Sequence, residues 1–230
     1  MSKYNTRVEN LYDSIASEYE NIYENRDVIE AENFILAKLL NQKYNGRLLD
    51  VGCGTGFFLD LAKDYDIYVP KNNYIGLDIS QNMLDIAQKK HIGYRFFKSD
   101  FMNLPRADKF DFIISLFSVS DYEGSLSLRQ SAKLLNDSGV FMGTFINEDE
   151  PFEMDCLKET GNQYDLHKFT HKGLLDELSK SGFTWYYIVS IAKIPSDITD
   201  VNIMKHYLDI HIPVLAGAKY FFVTAGKDET

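Results

Sequence analysis

The stretch from Leu48 to Leu59 constrains this chain more than any other. Leu48, Leu49, Asp50 and Val51 read as a buried strand. Gly52, Cys53, Gly54, Thr55 and Gly56 read as a turn, and Phe57, Phe58 and Leu59 as the start of a helix. Glycine on alternate positions lets a bound molecule come close to the backbone where a side chain would block it. The helix that follows turns its free amide groups toward whatever occupies the turn. A strand, a glycine-dense turn and a helix in this order predict a nucleotide-type ligand site on the first strand of an α/β sheet.

The dinucleotide fingerprint G-x-G-x-x-G fails here in both registers. Counting from Gly52, Phe57 stands in the third glycine's place, and counting from Gly54, Leu59 does. What remains is an acid followed by G-x-G-x-G, and three later stretches keep step with it. Tyr74–Ser80 reads as a second strand ending in Asp78, and Phe97–Phe101 as the end of a third, with Asp100. Phe110–Leu116 reads as a fourth. The four motifs together resemble the class I S-adenosylmethionine-dependent methyltransferases, small-molecule type, over roughly residues 8–226.

The resemblance implies S-adenosylmethionine as cofactor. It places Asp50, Gly52, Cys53, Gly54 and Gly56 at the turn and the Asp78 carboxylate on the ribose diol. Ile79 and Met83 join the cofactor-binding set, and Leu116 stands near the reactive methyl. Asp100 and Phe101 stand at the adenine, the alternatives being an ordinary strand-end acid and an aromatic packed in the core. Cys53 is expected as a small filler of the turn, not a nucleophile. Tyr12, Asp13, Ala16 and Tyr19 match the family's Y-D-x-x-A-x-x-Y helix, in which Tyr12 and Tyr19 face the cofactor. The alternative is an amphipathic helix that only packs its aromatics against the sheet edge.

Alternation of strand and helix predicts a Rossmann-like, doubly wound sheet of seven strands with helices on both faces. The sheet is expected to be mostly parallel, and the resemblance adds an antiparallel last strand inserted between strands five and six. Apolar spacing from Val8 to Tyr23 and from Val28 to Leu40 predicts two leading helices. The turn Asp137–Gly139 is expected to start strand five at Val140. A single domain is expected: residues 1–42 as a helical lid, 46–146 as the cofactor-binding core, and 147–170 and 195–217 as acceptor-binding inserts. At 230 residues the chain can bury a full core without metal or disulfide staples.

Composition narrows the partners. A net charge of −10 argues against a broad nucleic-acid surface. No proline lies between Pro105 and Pro151, whereas nucleic-acid amino methylases place two prolines after the fourth strand. A small-molecule acceptor, such as an amino-sugar or another metabolite, is therefore expected, methylated on N or O. RNA, a protein side chain, or a non-catalytic cofactor-binding scaffold stand as the alternatives. Asp121, Tyr122 and His171 are the candidate acceptor-binding or catalytic groups, read against solvated surface residues. None of the five histidines has metal-ligand spacing, so no metal is expected. Two cysteines, no 18-residue apolar run and no basic leader point to a reducing, cytoplasmic setting without membrane span or signal peptide. A homodimer is the one oligomer considered.

Overall fold

The computed structural model describes residues 3–19, 26–105, 108–118, 125–149, 167–192, 197–208 and 218–227. Seven strands form one sheet: β1 (Leu48–Val51), β2 (Tyr74–Asp78), β3 (Arg95–Lys98), β4 (Phe110–Ser115), β5 (Leu135–Ile146), β6 (Trp185–Ala192) and β7 (Ala218–Gly226). Their order is β3-β2-β1-β4-β5-β7-β6. β1 pairs in parallel with β2 and β4, while β7 runs antiparallel between β5 and β6. This is the topology the sequence predicts, including the inserted last strand.

The helices are α1 (Lys3–Ile15), α2 (Arg26–Leu40), α3 (Phe57–Asp64), α4 (Gln81–Lys90), α5 (Ser125–Leu134), α6 (His171–Ser181) and α7 (Val201–Leu208). Successive strand residues point to opposite faces, so neighbours in β1 serve different cores. Leu48 joins Leu36, Leu40, Tyr44, Phe58 and Leu84 on one face. Leu49 and Val51 join Leu128, Leu174, Leu178 and Phe221 on the other. Both faces being covered explains why β1 is buried along its whole length and reads as an unbroken apolar run around one acid.

Local signals set most of the boundaries. Ser80 caps α4 with its hydroxyl accepting the Met83 N–H at 3.2 Å. α6 ends at Gly182 in the left-handed region, φ 96°. Two boundaries differ from expectation. α1 stops at Ile15 and gives way to a turn, and Tyr23 lies outside the described residues. β5 begins at Leu135, not Val140, because Leu135 already pairs with Phe110 across a register shift. The turn signal at Asp137–Gly139 therefore lies inside an irregular strand. Asp111 fixes that place by accepting the Asn136 side-chain amide at 2.6 Å and the Arg47 N–H at 2.7 Å.

Candidate cofactor site

β1 lies between β2 and β4, so the loops after β1 and β4 diverge to opposite sides, and a crevice opens between them. The crevice encloses about 670 Å3, open to solvent on one side. It brings together Tyr12, Tyr19, Gly52, Gly54, Asp78, Ile79, Met83 and Leu116, eight residues expected there from the sequence. α1 contributes Tyr12 and the turn that follows it Tyr19, and the two rings meet edge-on at 6.2 Å.

The turn's three glycines do three different jobs. A Cβ on Gly54 would meet nothing within 4 Å, so at this position the turn borders open space. A Cβ on Gly52 would stand 2.2 Å from the Ser118 Cβ, and one on Gly56 2.4 Å from the His91 ring. Gly52 is small because the loop after β4 rests on it. Ser118 is held there by donating to the Val51 carbonyl at 2.6 Å. Gly56 is small because α4's terminal histidine packs beneath it. Of the three, Gly52 and Gly54 line the crevice, and Gly54 is the one at which a side chain would project into open space.

Asp78 ends β2 at the pocket, half-buried. One carboxylate oxygen accepts the Gly54 N–H at 2.8 Å and the other accepts the Ser80 N–H at 2.9 Å. Burial pushes its pKa up, and these backbone N–H groups pull it back toward the charged form. The carboxylate thus ties the glycine turn to the start of α4 and still offers lone pairs to the crevice.

Asp50 is placed differently. It is 2% exposed, behind the turn, and accepts the Tyr74 hydroxyl at 2.7 Å. Burial pushes its pKa from near 3.8 to about 7, against the Tyr74 hydrogen bond that favours the charged form. Cys53 is also buried, and burial raises its thiol pKa, so it fills space as an inert thiol. Neither side chain lines the pocket, nor does Gly56.

Asp100 turns inward, its oxygens accepting the Met102 N–H and the Asn103 side-chain amide, both at 3.0 Å. It caps the 3-10 turn Phe101–Asn103, and Phe101 is buried in the core below. The neighbouring Ser99 lines the pocket instead. His171 opens α6 and packs edge-on to Phe221 at 5.8 Å, away from the pocket lining. Asp121 and Tyr122 lie outside the described residues. Among the described residues no group of His, Cys, Asp and Glu is placed to hold a metal, and no helix is long and apolar enough to cross a membrane.

The sequence reading missed Val8, Leu77, Ser99, Phe117 and Ser118 in the lining. Phe117 has a left-handed backbone, φ 60°, which is costly for a bulky residue. The buried Thr144 hydroxyl on β5 holds it by accepting the Phe117 N–H at 2.6 Å. Nothing in the local sequence foretells that pairing across 27 residues.

Comparison with known proteins agrees with the geometry. Residues 48–139 match the family model described as a methyltransferase domain. An uncharacterised protein of Methanocaldococcus jannaschii is 32% identical over 142 residues, 61% of this chain and 52% of that protein. The malonyl-[acyl-carrier protein] O-methyltransferase of Legionella pneumophila is 27% identical over 166 residues, 70% of this chain and 57% of that one. The chain thus spans a little over half the length of these relatives. A solved Thermotoga maritima structure, described as a SAM-dependent methyltransferase and possible histamine N-methyltransferase, superposes with a TM-score of 0.70. It covers 96% of this chain and 99% of that one, and at 21% identity the likeness is one of fold. With β7 inserted antiparallel, the glycine turn on β1 and the acid ending β2, the chain has the fold of the class I S-adenosylmethionine-dependent methyltransferases, and residues 48–139 match the methyltransferase domain model.

Proposed function

We propose that this protein is an enzyme that moves the methyl group of S-adenosylmethionine to an N or O atom of a small-molecule acceptor. One observation carries the reading. The half-buried Asp78 carboxylate is fixed by two backbone N–H groups beside the turn's one open glycine, Gly54, at the mouth of the parallel strands.

The residues present fit that cofactor. The crevice is concave, with apolar walls and one convergent carboxylate, as small-molecule sites are. Gly54 supplies bare backbone, Asp78 an acceptor for a diol, and Ile79, Met83 and Leu116 apolar walls. When bound, S-adenosylmethionine supplies a methyl group already activated on a sulfonium centre. The protein's share is then orientation and the exclusion of water. Tyr12 on α1 and Tyr19 in the turn after it cover the crevice, and Leu116 and Phe117 wall it from the loop after β4.

Asp78 is the only carboxylate among the described lining residues, and it is committed to the turn. An amine acceptor with a free lone pair needs no further base, and in that case Asp121 orients it. A hydroxyl acceptor calls on Asp121 or His171 to take the proton. Tyr122 and the segments 147–170 and 195–217 complete the acceptor side in this reading, since loops carry specificity on a fixed scaffold. The printed names of the two relatives above differ in the atom methylated, O in one and N in the other.

We place the enzyme in a reducing cytoplasm, in keeping with the free, buried Cys53 thiol, and as a homodimer, which sedimentation tests. The functional test is titration with S-adenosylmethionine followed by a turnover screen over amino-sugars, phenols, amino acids and RNA, read by product mass. Methylated small molecules are expected. Tight binding with no turnover on any acceptor supports the scaffold reading, and turnover on RNA alone overturns the small-molecule one.

A further inference from the structure

α4 begins three residues after Asp78, and its first turn carries Met83 into the crevice. The first amides of any helix lack partners within it and must find them elsewhere. Here the Met83 N–H goes to the helix's own cap, Ser80 Oγ, at 3.2 Å. The Asn82 N–H goes instead to Asp13 Oδ1 at 3.1 Å, a residue of α1 that is 69 positions away in the chain. The Ser80 hydroxyl, having accepted from Met83, donates its own proton to the same Asp13 oxygen at 2.5 Å. The Asn82 side-chain amide closes the contact on the Asp13 carbonyl at 2.9 Å.

Asp13 is therefore a second N-cap of α4, delivered from another helix. Its charge suits that place, since carboxylates are favoured at helix N-termini. It does not line the crevice, but the Ser80 it holds is tied to two residues that do, Asp78 and Met83. Ser80 gives its N–H to Asp78, and Met83 lines the wall. α1 is held elsewhere as well. Glu9 pairs with Lys98 at 2.6 Å, at the far end of β3, and Leu11, Ile15 and Ala16 form a small cluster around Met83. A surface ion pair contributes little, about 0–1 kcal/mol.

We infer that Asp13 is a positioning residue that couples the seating of α1 over the crevice to the formation of α4's first turn, and so to the placement of Asp78. Roof and floor of the site are joined through one carboxylate. This rests on the reading of the crevice as the cofactor site. A ligand that draws Asp78 and the start of α4 into order also seats α1, and losing Asp13 weakens a ligand it never touches.

The test uses the full chain, titrated with S-adenosylmethionine and S-adenosylhomocysteine, with amide exchange of α1 followed in parallel. Asp13→Ala is expected to weaken both ligands about tenfold, and to abolish the ligand-induced slowing of exchange over residues 8–15. Asp13→Asn keeps an oxygen in the same place and is expected to stay within threefold of the natural chain, with the slowing retained. Asp13→Ala within twofold in affinity, with α1 slowed as in the natural chain, overturns the inference. Should Asp13→Ala fail to fold, Asn82→Ala removes one bond of the same network, and an unchanged affinity and exchange pattern there overturns it equally. A natural chain that binds neither ligand overturns the cofactor reading instead. Exchange over residues 8–15 in the free variants then decides alone whether Asp13 seats the helix.

Discussion

The two sides of the crevice are built by different means. The floor, from the glycine turn to the start of α4, hangs on the sheet. β1 is paired on both edges, Cys53 N–H donates to the Leu77 carbonyl at 3.0 Å, and Asp78 bonds two backbone amides. The roof, α1, joins no strand. It rests on side-chain hydrogen bonds, one ion pair and a small apolar cluster. Pre-formed backbone geometry gives affinity with little ordering cost, whereas a helix held by a few side chains opens at low free energy. Under the proposed methyl transfer, this division has a rigid floor fix the donor while the roof admits and seals it.

The sharpest way to break this contrast is to fill the floor. Gly54→Val puts a branched side chain into the one open glycine position of the turn, on a backbone at φ 54° that such residues rarely adopt. Affinity for S-adenosylmethionine should fall at least about 100-fold, with strain of roughly 1–2 kcal/mol on stability. Calorimetry beside thermal melting separates the two. Binding within tenfold of the natural chain would show that the ligand does not pass over Gly54.

Next comes Asp78→Ala. A hydrogen bond to a charged group contributes about 1.5–3 kcal/mol, so affinity should drop tenfold or more. Two backbone N–H groups also lose their acceptor, so the floor itself loosens. Unchanged affinity by calorimetry would remove Asp78 from the ligand.

The roof should respond more weakly. Tyr12→Phe together with Tyr19→Phe keeps the rings, which meet at 6.2 Å, and removes only the hydroxyls. A two- to fivefold loss of affinity is expected, with faster release in stopped-flow kinetics. A loss as large as that of Asp78→Ala would make the roof as rigid as the floor and end the distinction.

The floor was also far more legible in the sequence than the roof. Strand ends, the Ser80 cap and Gly182 are local signals, and each is where its chemistry requires it. What was not legible depends on contacts between distant residues. Gly52 and Gly56 are explained by Ser118 and His91, which pack against them from other elements. Asp100 satisfies amides two and three residues on, a competing local use for a strand-end acid that motif reading does not weigh. β5 starts early because Leu135 finds Phe110, and Asp13 finds α4 across 69 residues. The motif around Tyr12 and Asp13 identified the right helix, but spacing alone gave no partner for the acid.

The mildest perturbation of affinity should fall on Asp50, and it probes whether the floor is set before any ligand arrives. Asp50 lies behind the turn, 2% exposed, with Tyr74 as its hydroxyl partner and a pKa pushed by burial to about 7. In the unfolded chain the same group titrates near 3.8. The folded protein thus holds a proton between about pH 4 and 7 that the unfolded chain has released. Stability from this group is full below pH 4 and is lost as the pH rises through 7. Asp50→Asn keeps the shape and an acceptor for Tyr74, and removes the titration. Its melting temperature should lie above that of the natural chain at pH 8 by a few degrees or more, with the gap closing toward pH 4. Affinity for S-adenosylmethionine should change by less than about threefold, since the side chain faces away from the crevice. An equal gap at both pH values would show that Asp50 is ionised throughout. A tenfold loss of affinity would show that the floor takes its shape from this buried carboxylate as well as from the sheet.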